Sequence, residues 1–204
     1  MKSMWIEWCM VLMGLMVGTS GCAGKPAASK SAAVVKAVDV SAVTDLDGRA
    51  VDPLAVVKDR RGTVLLFITN DCPISNGYAP EIHRLCEAYM KQGIAFYLVY
   101  SDPSVGAAQA KKHYADYGYN CMALLDPKHE LARRAGATIT PEAAVFEPGG
   151  ERVYLGRIND LYVDFGKAKF KATTNDLRDV LELVAAGLPV TPRTTTAIGC
   201  NIPL

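Results

Sequence analysis

Residues 63–75 read TVLLFITNDCPIS, and the fold turns on this stretch. Its first seven residues are an unbroken apolar, β-branched run, the pattern of a strand buried on both faces. After it, Tyr78, Ile82, Leu85, Cys86 and Tyr89 recur at helical spacing until Gly93 stops the helix. Cys72 therefore stands between a buried strand and a helix start, with Pro73 in the first helical turn, where its missing N–H costs nothing. Unpaired backbone N–H groups and the helix dipole favour a thiolate there, and a thiolate is a nucleophile. The plainer alternative is a structural cysteine at a strand end.

Working outward, residues 94–100 predict a second buried strand, 105–117 a polar-faced helix, 121–125 a third strand, and 128–135 a short helix ended by Gly136. Residues 143–146 and 152–158 flank Pro148-Gly149-Gly150 and predict an antiparallel hairpin. Asn175 caps a last helix running through Leu183. Towards the N-terminus, Asp47-Gly48 signals a hairpin turn between two short strands flanking residues 44–49. Asp45 and Asp47 do not make a calcium loop, since no further acidic ligands follow at loop spacing. Alternating strands and helices, a hairpin and a closing helix give an α/β fold, a three-layer sandwich around a mixed sheet.

At Cys72 the chain resembles the thioredoxin-like superfamily. Cys72-Pro73-Ile74-Ser75 is similar to the Cys-x-x-Cys site of thioredoxins with Ser75 in place of the second cysteine. Pro80 stands where those proteins kink the first active-site helix, and Thr140-Pro141 resembles their cis-proline loop. The long interval from Cys72 to Pro141 resembles the TlpA-like and AhpC/TSA (redoxin) branches. The resemblance covers residues 37–186 and implies a thioredoxin fold with an exported thiol–disulfide oxidoreductase activity. Cys72 attacks a disulfide to form a mixed disulfide, with Pro141 facing the sulfur. Thr140 and Pro73 lie at the substrate, and backbone near Thr140 holds a peptide as an added strand. Ser75 hydrogen-bonds the thiolate, and no cofactor is implied. The partners are protein or small-molecule thiols and disulfides and an unidentified reductant.

With Ser75 in the motif, a resolving thiol must come from elsewhere. Cys86 lies about 21 Å of helical rise from Cys72 and reads as core. Cys121, at the opening of a central strand, reads as a small buried hydrophobe. Cys200 falls in residues 191–204, a Thr- and Pro-rich tail without helical or strand period, and is expected to be mobile enough to reach Cys72.

Two other functions compete. Thr69-Asn70-Asp71-Cys72 matches the Thr-x-x-Cys of peroxiredoxins, with Thr69 orienting a peroxide. Leu65 stands in place of their proline, however, and Pro141-Glu142 in place of their arginine, which leaves Arg157 as the substitute cation only if it points into the site. A copper-binding role would use Cys72 and Cys200 with a histidine. His83, His113 and His129 read as surface residues without metal spacing, so no metal site is expected.

The sequence carries 22 Lys and Arg against 21 Asp and Glu, a net charge of +1. That balance supplies no field for a polyanion and excludes nucleic acid as a partner. Residues 9–17 are apolar apart from Gly14 and are followed by small residues up to Cys22, a signal-peptide shape over residues 1–22. Ser20-Gly21-Cys22 resembles a bacterial lipobox, with Thr19 departing from the pattern; cleavage near Ala23 and an uncleaved anchor are the alternatives. A lipidated Cys22 would tether the protein to a membrane in the periplasm or cell envelope. Residues 23–36 read as a flexible linker, 37–190 as the domain. The stretch 157–170, with Asn159, Asp160, Tyr162 and Asp164, reads as a polar loop held by two aromatic anchors rather than as a functional loop.

Overall fold

The structure, a computed structural model, describes residues 43–204. The leader, Cys22 and the linker lie outside these residues. Along the chain come β1 (Thr44–Asp45), β2 (Gly62–Ile68), α1 (Pro73–Gly77), α2 (Ala79–Met90), β3 (Ile94–Tyr100), α3 (Ala107–Asp116), β4 (Met122–Leu125) and α4 (Glu130–Ala135). There follow β5 (Ile139–Thr140), β6 (Glu142–Phe146), β7 (Arg152–Gly156), β8 (Tyr162–Asp164), β9 (Lys167–Ala168), α5 (Asp176–Ala186), β10 (Arg193–Thr194) and β11 (Cys200–Asn201).

A seven-stranded sheet runs in the order β1-β4-β3-β2-β6-β7-β10. β2 is buried at every residue because it pairs on both edges, parallel to β3 and antiparallel to β6, and is covered on both faces. The period-2 alternation of a strand splits its side chains between the two layers. Val64, Leu66 and Ile68 pack with Ile82, Leu85 and Cys86 of α2 and Leu177, Leu181 and Val184 of α5. Leu65 and Phe67 pack with Leu131 and Ala135 of α4 on the other side. The three-layer α/β/α sandwich around a mixed sheet is thereby observed. No helix among the described residues is long and apolar enough to cross a membrane.

Four expectations change. The N-terminal hairpin shrinks to one bridge between Thr44 and Ala50, because Asp45 closes the turn through its side chain and β1 pairs with β4 instead. β4 itself lies one strand in from the edge rather than at the centre, though Cys121 at its start is buried as anticipated. His113 and His129 are buried, not on the surface, and His83 is half-buried. α3 turns His113 inward against β3, where a short polar helix still has one face to cover. Finally, residues 191–204 are not a loose tail. β10 adds to the sheet beside β7, and β11 pairs with β5. Strands of two residues show no period, so their order comes from partners far away in sequence.

Candidate active site

Cys72 caps α1 with an extended backbone, Pro73 follows in the first turn, and the Asn76 N–H closes that turn on the Cys72 carbonyl at 3.0 Å. The helix breaks at Tyr78 just before Pro80, as the kink reading required, and resumes as α2. Cys72 is fully buried, and its Sγ donates to the carbonyl of Thr140 at 3.4 Å. The Thr140–Pro141 peptide bond is cis. β2 and the cis-proline loop thus bring Cys72 to Thr140 and its cis bond with Pro141.

Cys200 joins them by docking rather than by mobility. In the β5–β11 pair it stands opposite Thr140, and Asn201 opposite Ile139. The Thr140 hydroxyl donates to the Cys200 carbonyl at 3.3 Å, and the Ile202 N–H to the Thr138 carbonyl at 2.8 Å. The same residue, Thr140, therefore receives the Cys72 thiol and aligns Cys200. Gly199 makes the approach feasible: a Cβ there would lie 2.0 Å from the Thr140 carbonyl oxygen. Burial, hydrogen bonding with the Cys72 sulfur and the charge of Asp71 push the Cys200 thiol up to about 12. Cys200 thus keeps its proton at neutral pH, beside the other sulfur.

Ser75 and Thr69 do other work than expected. The buried Ser75 hydroxyl accepts the Thr69 N–H at 3.4 Å, tying the end of β2 to α1. The Thr69 hydroxyl donates to Asp71 at 2.9 Å. Arg157 forms an ion pair with Asp176 at 2.8 Å, at the start of α5, so its guanidinium is not the substitute cation the peroxidase reading needed. His113 is bonded through one ring nitrogen to the Tyr100 hydroxyl at 2.7 Å and through the other to Asn76 at 2.8 Å. Among the described residues no group of three or more His, Cys, Asp or Glu side chains converges as a metal site.

A cavity of about 230 Å³ opens beside Cys200 and Thr140, the residue that receives the Cys72 thiol, and is lined also by Thr69, Asp71, Asp102 and Asn201. Behind α1, a chain of polar contacts fixes the motif. The Asn76 amide donates to the Asn70 carbonyl at 3.0 Å, and Asn76 in turn meets His113. On the far side, the Tyr78 hydroxyl donates to the side chain of Asn159 at 2.9 Å, and the Tyr78 and Tyr162 rings lie 5.1 Å apart. Residues 157–170 are thus a clamp on the break between α1 and α2. Of its aromatic residues Tyr162 packs as an anchor, while Phe165 and Phe170 are exposed. Asn76 escaped the sequence reading because a single asparagine inside a helix carries no pattern.

The profile of the AhpC/TSA family matches residues 34–155. Among solved structures, the chain is similar to an uncharacterized conserved protein of Geobacillus kaustophilus, 28% identical with a TM-score of 0.69, over 83% of this chain and 90% of that one. It is also similar to a hypothetical protein of Sinorhizobium meliloti 1021, 27% identical with a TM-score of 0.62, over 71% and 80% of the two chains. The MTB protein dsbF, solved in mixed oxidized and reduced forms, shares the fold at 17% identity and a TM-score of 0.51, over 74% and 98%. No curated protein matches the chain significantly.

Proposed function

The chain belongs to the AhpC/TSA family and is a thioredoxin-like redoxin, and we propose that within that family it is a thiol–disulfide oxidoreductase whose redox couple is Cys72 with Cys200. One observation carries this reading: β11 holds Cys200 opposite Thr140, the residue whose carbonyl receives the Cys72 thiol. Cys72 attacks a substrate disulfide and becomes a mixed disulfide. Cys200 then attacks the Cys72 sulfur, its proton passes to the leaving thiolate, and the enzyme is left with a Cys72–Cys200 disulfide. A thiol reductant resets the pair. Pro141 and Thr140 face the sulfur, Pro73 sets the helix start, and Thr69 and Ser75 hold the loop that carries Cys72.

Peptide mass spectrometry of the oxidised protein tests this, with a Cys72–Cys200 crosslinked peptide as the expected product. Cys200→Ser should accumulate the mixed disulfide on Cys72 instead. Oxidised protein without the crosslink would overturn the couple. The peroxidase reading loses support from Arg157, which is engaged with Asp176, and the copper reading from His113, which is engaged with Tyr100 and Asn76. We place the protein outside the cytoplasm, attached to a membrane through Cys22, on the leader pattern of residues 1–22. Labelling with a radioactive fatty acid should mark the wild type and not Cys22→Ala.

A further inference from the structure

The edge of β5 is where an extended polypeptide substrate would add as a strand, since main-chain groups beside a cis-proline are free for such pairing in an open site. Here they are taken. β11 pairs along the whole of β5, and the Ile202 N–H extends the ladder to Thr138. The segment is held at further points. Ile202 is buried in the second core with Leu65 and Phe67. Thr195 donates its N–H to the Leu155 carbonyl at 3.0 Å, and its hydroxyl meets the Tyr154 hydroxyl at 2.7 Å.

What stays open is the cavity of about 230 Å³. It lies beside Cys200 and Thr140 and is open to a small molecule, whereas the strand position along β5 is already filled by β11. Its chemistry is one-sided. Asp71 and Asp102 line it, and no Lys or Arg does. Asp71 is turned by the Thr69 hydroxyl, and Asp102 by the N–H and hydroxyl of Ser104 at 2.8 and 2.7 Å.

We propose that the C-terminal strand is a resident occupant of the polypeptide edge, so that the site takes a small disulfide of neutral or positive charge through this cavity. The inference rests on the Cys72–Cys200 couple proposed above. In chemical terms the Cys72 thiolate attacks one sulfur of a small disulfide, whose S–S bond breaks and releases the first thiol after protonation from water. The second thiol leaves with the Cys200 proton as the Cys72–Cys200 bond forms. Two electrons pass from the enzyme dithiol to the small disulfide, and a dithiol reductant restores the enzyme.

The test treats the reduced full chain with cystamine, oxidised glutathione and insulin, scoring the Cys72–Cys200 crosslink and normalising each rate to that of free dithiothreitol. Cystamine, which is cationic, should exceed oxidised glutathione, which is anionic, by about fivefold or more, fivefold being the scale of one unit-charge contact screened by water. Insulin should react no faster than with dithiothreitol. Asp71→Asn combined with Asp102→Asn should abolish the charge preference. Gly199→Val, whose side chain collides with Thr140, should lift the strand and raise insulin reduction several-fold while slowing crosslink formation. Fast insulin reduction by the wild type, or equal rates for the two small disulfides, overturns the inference while leaving the couple standing. Failure of all three oxidants to produce the crosslink overturns the couple itself.

Discussion

Cys72 and Cys86 are both fully buried, yet their sulfurs meet different neighbours. Cys72 lies against the Thr140 carbonyl and a second thiol, that of Cys200. Cys86 lies among Ile82, Leu85 and Tyr89 in the apolar core, and contact with the Cys121 thiol, together with burial, pushes its own thiol up. The Cys121 thiol is buried as well, so this second pair is enclosed in the core. A protonated, enclosed thiol is inert, so Cys86 contributes packing. Cys86→Ser should lower stability by about 1–3 kcal/mol, the cost of a poorly partnered hydroxyl in an apolar site. A shift in the urea midpoint measures it, and Cys72–Cys200 crosslinking should proceed at the wild-type rate. This division was partly legible in the sequence. Helical spacing marked Cys86 as core, and the strand-Cys-Pro order marked Cys72. The burial of His113 was not legible, because it depends on the Tyr100 and Asn76 partners supplied by other elements.

The joint between α1 and α2 depends on a loop that arrives eighty residues later in the chain. Tyr78 donates to both the carbonyl and the side chain of Asn159. Tyr78→Phe leaves those buried acceptors short of a donor and should cost about 1–2 kcal/mol, read as a lower thermal midpoint with Cys72 still reactive. The loop beyond is fastened by Asp160, whose carboxylate takes Lys169, the Thr173 hydroxyl and the N–H groups of Thr173 and Thr174 at 2.7 and 2.9 Å. Lys169 first, then the Thr173 hydroxyl and the Thr174 amide, hold this carboxyl well below the usual carboxylate range. Since the folded value is the lower one, the contribution is complete above the unfolded value of about 4 and is lost as pH falls through the folded value. Asp160→Asn should therefore be less stable than wild type at pH 7 and should lose less stability between pH 5 and pH 2 (roughly the window of carboxylate titration). Parallel denaturation curves across that range check both halves. Sequence patterns gave β2, β3 and the β6–β7 hairpin, whose apolar runs and turn residues are local. Nothing local distinguished a clamp from an exposed polar loop, because its aromatic residues divide between one packed ring, Tyr162, and the exposed Phe165 and Phe170.

At the scale of the molecule, the C-terminal strand carries the last cysteine back to the centre of the site. A bond between Cys72 and Cys200 would cross nearly the whole folded domain. In the chain-entropy account, closing a loop of roughly 130 residues removes enough freedom from the unfolded chain to stabilise the oxidised form by about 4–5 kcal/mol. The native strand is already docked with both cysteines reduced, so forming the bond asks little rearrangement of the fold. By the thermodynamic cycle, the same free energy makes the bond harder to reduce in the folded chain than in the unfolded one, by about 100 mV for a two-electron couple. Stability and redox poise are therefore one quantity measured in two ways. The oxidised protein should unfold at a clearly higher urea concentration than the reduced protein, and Cys200→Ser should unfold at the same concentration whether or not dithiothreitol is present. Equal midpoints for oxidised and reduced wild type would mean that bonding Cys200 to Cys72 strains the folded state by as much as the closed loop gains, and the bond would then be no harder to reduce in the folded chain than in the unfolded one.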